Sequence, residues 1–153
     1  MKNNGVKKDS VKNYSQIQKA GTLMSYNVRA DLRFGNSFYS MLANEKGQAC
    51  ILKGTSSHAM DIFKIEHSDT SKIFRLDSVA AFYNAIYKIK AKPKIHHHVN
   101  TDTARVEIYF DGIKIYDGPM TGEEFWDVFR PTFGQLPNGY CFYCTNDKPF
   151  ELE

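Results

Sequence analysis

The 153-residue chain is poor in the residues that staple or cross-link a fold: it has three cysteines, five prolines and one tryptophan. Three cysteines are odd in number and too few for a disulfide scaffold, so Cys50, Cys141 and Cys144 are expected as free thiols. No apolar run approaches 18 residues and the mean hydropathy is −0.47, which excludes a helical membrane span. Met1 to Ser15 is polar and basic where the apolar core of a secretory signal would stand, and a cytoplasmic location is the expectation. G-x-S-x-G, the P-loop, the dinucleotide fingerprint and H-E-x-x-H are all missing, so no catalytic motif and no cofactor is indicated.

What is present is an apolar fraction of 42% and 21 aromatic residues, eleven Phe, nine Tyr and one Trp, enough for a substantial core. The net charge of +3 is an average over unlike segments. Residues 1–20 carry five lysines against Asp9, net +4; residues 21–105 carry twelve Lys/Arg against seven Asp/Glu, net +5; residues 106–153 carry three against nine, net −6. A polyanion would therefore be bound on one face at most.

Residues 1–20 read as a disordered basic arm and 21–153 as one α+β domain. Tyr26, Val28, Ala30, Leu32 and Phe34 alternate with Asn27, Arg29, Asp31 and Arg33, the period of a half-buried strand. Runs at Phe38 to Ala43, Gln48 to Lys53, Met60 to His67 and Lys72 to Leu76 extend it into an antiparallel meander, because the gaps are too short for crossover helices. Asp77 and Ser78 are N-cap residue types, and Val79, Phe82, Ile86 and Ile89 follow at helical spacing until Pro93 stops the run. Strands then fall at Ile95 to Val99, Arg105 to Phe110 and, across an Asp111-Gly112 hairpin turn, Ile113 to Tyr116. Thr121 to Glu124 reads as a capping box before a second helix ended by Pro131. Tyr140 to Thr145 is the last strand, with a turn after Gly139 as the alternative. The expected fold is an antiparallel sheet of seven to nine strands, arranged as two meander-plus-helix halves, with two helices on one face. Sheet then helix, twice, is similar in element order to the whirly type of single-stranded nucleic-acid module, a likeness that implies nothing about function.

Three constellations carry candidate chemistry. Lys88, Lys90, Lys92 and Lys94, with His96, His98 and Arg105, form the densest positive run and suit phosphate contacts; the bland reading is a solvated helix end, where lysines complement the helix dipole. On a strand His96 and His98 share a face that His97 does not, so a metal would need a third ligand from His58, His67 or Asp102. Cys141-Phe142-Tyr143-Cys144 has the spacing of half a zinc site, and Cys50 is the remaining thiol. Tyr83, Tyr87 and Tyr109 fall on polar faces and Trp126 falls off its helix's apolar stripe, the placement of interface anchors, although Tyr hydroxyls at the rim of a thick core would look the same.

The reading these features favour is a non-catalytic interaction protein that binds a protein partner or itself through its aromatic surface. A weakly sequence-specific binder of single-stranded nucleic acid through Lys88 to Lys94 is the alternative, and a metal-dependent hydrolase using the histidines is the third.

Overall fold

The computed structural model describes residues 24–34, 37–56, 65–95, 105–120, 122–145 and 148–149. The elements are β1 (Val28–Phe34), β2 (Ser37–Ala43), β3 (Gln48–Ser56), β4 (Ile65–Thr70), β5 (Phe74–Arg75), α1 (Val79–Ala91), β6 (Lys94–Ile95), β7 (Arg105–Phe110), β8 (Ile113–Pro119), α2 (Gly122–Phe129), a 3₁₀ turn at Arg130–Thr132, and a short ribbon of β9 (Cys144–Thr145) with β10 (Lys148–Pro149). Strands run in the order β4-β3-β2-β1-β7-β8-β6, and β5 pairs separately with β3. The α+β class and the mostly antiparallel sheet agree with the sequence pattern.

The two halves join through β1 and β7, which pair from Val28↔Phe110 to Arg33↔Arg105. That register places Val28, Ala30 and Leu32 beside Phe110, Ile108 and Val106 on one face, and Met41, Ala43, Ala49 and Ile51 continue it across β2 and β3. Both helices pack on this face. Alternation sends Arg29, Asp31, Glu107 and Tyr109 to the other face, where Met24, Leu42, Cys50 and Leu52 form a second, smaller cluster. Asp111 and Gly112 both take positive φ, 52° and 80°, as the hairpin turn between β7 and β8 requires.

The structure departs from the sequence pattern at several points. Lys94–Ile95 pairs with β8, in parallel, and does not extend a meander beside β7; a strand leaving α1 over the helical face reaches the far edge of the sheet first. Of the strand expected from Met60 to His67, residues 60–64 lie outside the described residues, and the described part belongs to β4, which runs from Ile65 to Thr70. Ser78 sits at the α1 N-cap without a side-chain cap bond, and the neighbouring Asp77 amide donates to Gln135 Oε1 at 2.6 Å. Tyr140 to Thr145 is strand only from Cys144, because Phe142-Tyr143 makes a turn. A strand would send these two rings to opposite sides, whereas the turn lets both enter the core. Thr121 of the capping box and residues 1–23 lie outside the described residues.

Phe82 is fully buried in the first turn of α1, against Tyr83 and Phe129. Phe82→Ala should lower unfolding free energy by about 3–5 kcal/mol. Ile113→Ala, at a side chain 68% exposed, should change it by less than about 0.5 kcal/mol; urea denaturation of both variants checks the contrast.

Candidate functional site

α1 turns Phe82, Tyr83 and Ile86 into the core, and a neighbouring stripe at Ser78, Ala81, Ala85, Lys88 and Lys92 runs along its flank at helical spacing. Alanines at 81 and 85 leave a trough beside the helix. α2 forms the opposite wall with Glu124, Asp127 and Val128, and Arg130 and Pro131 close one end. Tyr116 and Met120 lie beneath, where β8 leads into α2. The result is an open groove between the helices with a volume of about 770 Å³.

Its walls differ in charge. α1 has no acidic residue, its last turns carry Lys88 and Lys90, and Lys92 is its C-cap. α2 begins with Glu123 and Glu124 and continues to Asp127. Lys94 Nζ, just beyond α1, donates to Glu124 Oε2 of α2 at 2.6 Å; this exposed pair contributes at most about 1 kcal/mol. Lys88, Lys92 and Arg130 have no ion-pair partner among the described residues. Tyr116 is buried beside Glu124, and burial followed by that charge pushes its phenol up to about 12.

The lysine run is divided by the helix. Lys88 and Lys92 line the groove, while Lys90 lies 5.0 Å over the Phe110 ring. Arg105 does not join them. It points from the opposite sheet face into a network with Glu107 and Asp117, at 3.3 and 3.0 Å, to which Lys114 also binds. His96 and His98, with His58 and Asp102, lie outside the described residues, as does the side chain of His67.

The expected aromatic surface is similarly redistributed. Tyr83 is 4% exposed, a core residue whose hydroxyl donates to Asn27 Oδ1; its neighbour Phe82 widens the α1 stripe enough to bury it. Tyr109 is half-buried, with Arg29 4.6 Å above its ring and its hydroxyl donating to Glu107 at 2.7 Å. Burial and this bond to a carboxylate hold its phenol well above the ordinary range. Tyr87 is 42% exposed and donates to Glu45. Trp126 is half-buried, stacked edge-on with Phe125, Phe133 and Tyr143, and also lines the groove. Only Trp126 among these four belongs to the site; the Ala81/Ala85 flank that shapes it was visible in the sequence as small residues at helical spacing.

The cysteines are not three free thiols. Cys141 and Cys144 form a disulfide with their Cα atoms 5.4 Å apart. Cys50 is buried in the cluster on the other sheet face, so it is no third ligand for a zinc site. Burial pushes its thiol up to about 11. Among the described residues no group of three or more His, Cys, Asp or Glu side chains is placed to hold a metal.

Between the bridged cysteines Phe142 and Tyr143 are buried beneath α2. Tyr143 Oη and Thr132 Oγ1 share a hydrogen bond of 2.6 Å, and Thr132 Oγ1 donates to the Phe129 carbonyl. Burial pushes the Tyr143 phenol up to about 12, against the smaller opposing influence of Thr132.

A phenol whose pKa is raised on folding favours the folded state fully below the free value of about 10 and loses that preference as pH rises toward the folded value. Tyr116 and Tyr143 should each make stability fall by about 1.4 kcal/mol per pH unit between pH 10 and 12. Denaturation midpoints followed from pH 8 to 11.5 should stay level and then drop, and Tyr143→Phe should remove one proton's share of the slope.

No family model, no curated protein and no solved structure matches this chain, so the groove has its own geometry and charge as its only guide.

Proposed function

We propose that this is a non-catalytic binding protein whose groove between α1 and α2 receives an amphipathic segment of a protein partner. The observation that carries this reading is the groove's combination of an apolar floor with walls of opposite charge. Ala81, Ala85, Ile89 and Met120 offer apolar area, and Lys88 and Lys92 face Glu124 and Asp127 across it. An amphipathic helix fits such a site, placing its apolar stripe on the floor and acidic and basic flanks against the two walls. Trp126 at the groove edge is the kind of side chain that anchors such contacts.

A nucleic-acid platform needs cations and stacking rings on one face. Here Lys90 turns away from Lys88 and Lys92, Lys94 is paired, and Arg105 is bound in a network on the other face of the sheet. Tyr83 is in the core. This dispersion favours the protein partner over the nucleic-acid alternative. No helix among the described residues is long and apolar enough to cross a membrane.

Selection of a displayed library of helical peptides on the intact protein tests the reading. Enriched peptides should carry apolar residues at three- and four-residue spacing and acids on one flank. Their affinity should fall at least tenfold, about 1.4 kcal/mol, for Ala85→Phe, which fills the trough, and for Lys88→Glu combined with Lys92→Glu. Enriched peptides indifferent to both changes would refute the groove. A labelled single-stranded oligonucleotide that binds with a steep salt dependence, and is lost in the Lys88→Glu/Lys92→Glu protein, would establish the nucleic-acid alternative in its place.

A further inference from the structure

We propose that the Cys141–Cys144 disulfide is a redox latch on the groove, holding α2 in its docking position when oxidised and releasing it when reduced. This inference rests on the reading of the groove as a docking surface and names how that surface is controlled.

The disulfide closes a four-residue loop whose two ends are partly exposed and whose middle is buried. Phe142 and Tyr143 are the seat of α2. The Phe142 ring lies 5.1 Å from Phe129 and 6.4 Å from Phe125; the Tyr143 ring lies 5.3 Å from Trp126 and 6.3 Å from Phe125. Two adjacent residues send their rings to the same side only while the backbone between them is turned, and the cross-link keeps it turned. α2 has eight residues, too few to be helical in water without packing. The wall carrying Trp126, Asp127 and Val128 therefore stands where the latched loop puts it.

The chemistry is ordinary exchange with a dithiol. One thiolate of the reductant attacks a sulfur of the pair and the other cysteine leaves as thiolate; the second reductant thiol then attacks the mixed disulfide. Two electrons and two protons pass to Cys141 and Cys144, which become thiols, and the dithiol becomes a disulfide. Cys50 takes no part, being buried on the other face of the sheet. Freed of the closure, the loop gains backbone conformations in which Phe142 and Tyr143 no longer point together.

Trp126 is the chain's one tryptophan and touches Tyr143 directly, so its fluorescence reports on the latch. The oxidised full-length protein is titrated with dithiothreitol and then reoxidised, with alkylation and mass measurement counting the thiols. Reduction should expose two alkylatable thiols, shift Trp126 emission to longer wavelength reversibly, and weaken a groove-selected peptide about tenfold, within the 5–150-fold usual for coupled sites. Cys50→Ser should respond as the parent does. Cys141→Ser/Cys144→Ser should start with the reduced-state emission and ignore the reductant.

Unchanged Trp126 emission after alkylation has shown full reduction would overturn the latch. So would a pair that stays as two thiols under oxidant. A peptide bound equally by both redox forms overturns the control while leaving the docking reading intact. Absence of any groove-selected peptide for the oxidised protein overturns the docking reading, and the emission comparison then decides the loop's response by itself.

Discussion

An eight-residue helix does not hold itself together in water, so α2 exists because of what lies under it. Phe125 and Phe129 pack on each other at 4.8 Å, on Phe142 and, through Phe129, on Phe82 of α1. Tyr143 and Thr132 fasten the far end by their shared hydrogen bond. Tilted and edge-on ring contacts of this kind are each worth roughly 0.5–1.5 kcal/mol beyond the area they bury. Remove this cluster and the groove loses a wall, Tyr116 loses its cover, and the 3₁₀ turn loses its anchor.

The charges divide by the same geometry. On the sheet face away from the helices, Arg29 with Asp31 and Arg105 and Lys114 with Asp117 and Glu107 are drawn close by strand register and satisfy one another. For Lys114, burial works against the charge, but hydrogen bonds and attraction from Asp117 and Glu107 outweigh it and raise its pKa. Between the helices, Lys88 and Lys92 line one side of the trough and Asp127 the other, and no ion pair joins them among the described residues. A face whose charges are already paired offers little to a ligand, whereas walls of opposite charge over an apolar floor offer both affinity and orientation.

Much of the fold was legible because its signals are local. The period-two alternation of Val28 to Phe34, the Asp111-Gly112 turn and the end of α1 before Pro93 depend on neighbours in sequence, and each lies where the pattern put it. The Lys88/Lys92 part of the site was legible as a charge run. The site as a whole was not, since Tyr116, Met120 and Arg130 reach it only after β8 and α2 have folded back beside α1. Tyr83 misled because a tyrosine at the edge of a helical stripe is equally suited to a wet rim or a covered one, and its partner Asn27 comes from the distant segment that leads into β1.

Residue pattern by itself determined the strand of Val28 to Phe34, the two helices, the tight Asp111-Gly112 turn and how charge divides between the halves, because these follow from side-chain period, backbone stereochemistry and composition. Tertiary structure alone decided that β1 pairs with β7, that β6 runs parallel to β8, that Arg105 serves the opposite face from Lys88, and that Cys141 pairs with Cys144 and not with Cys50. Each of these depends on the distance between residues far apart in the chain, or on whether a short segment turns or extends. That choice was made by the core the segment enters: a strand would have left one of Phe142 and Tyr143 outside it, and the turn that buries both also brings the two sulfurs together.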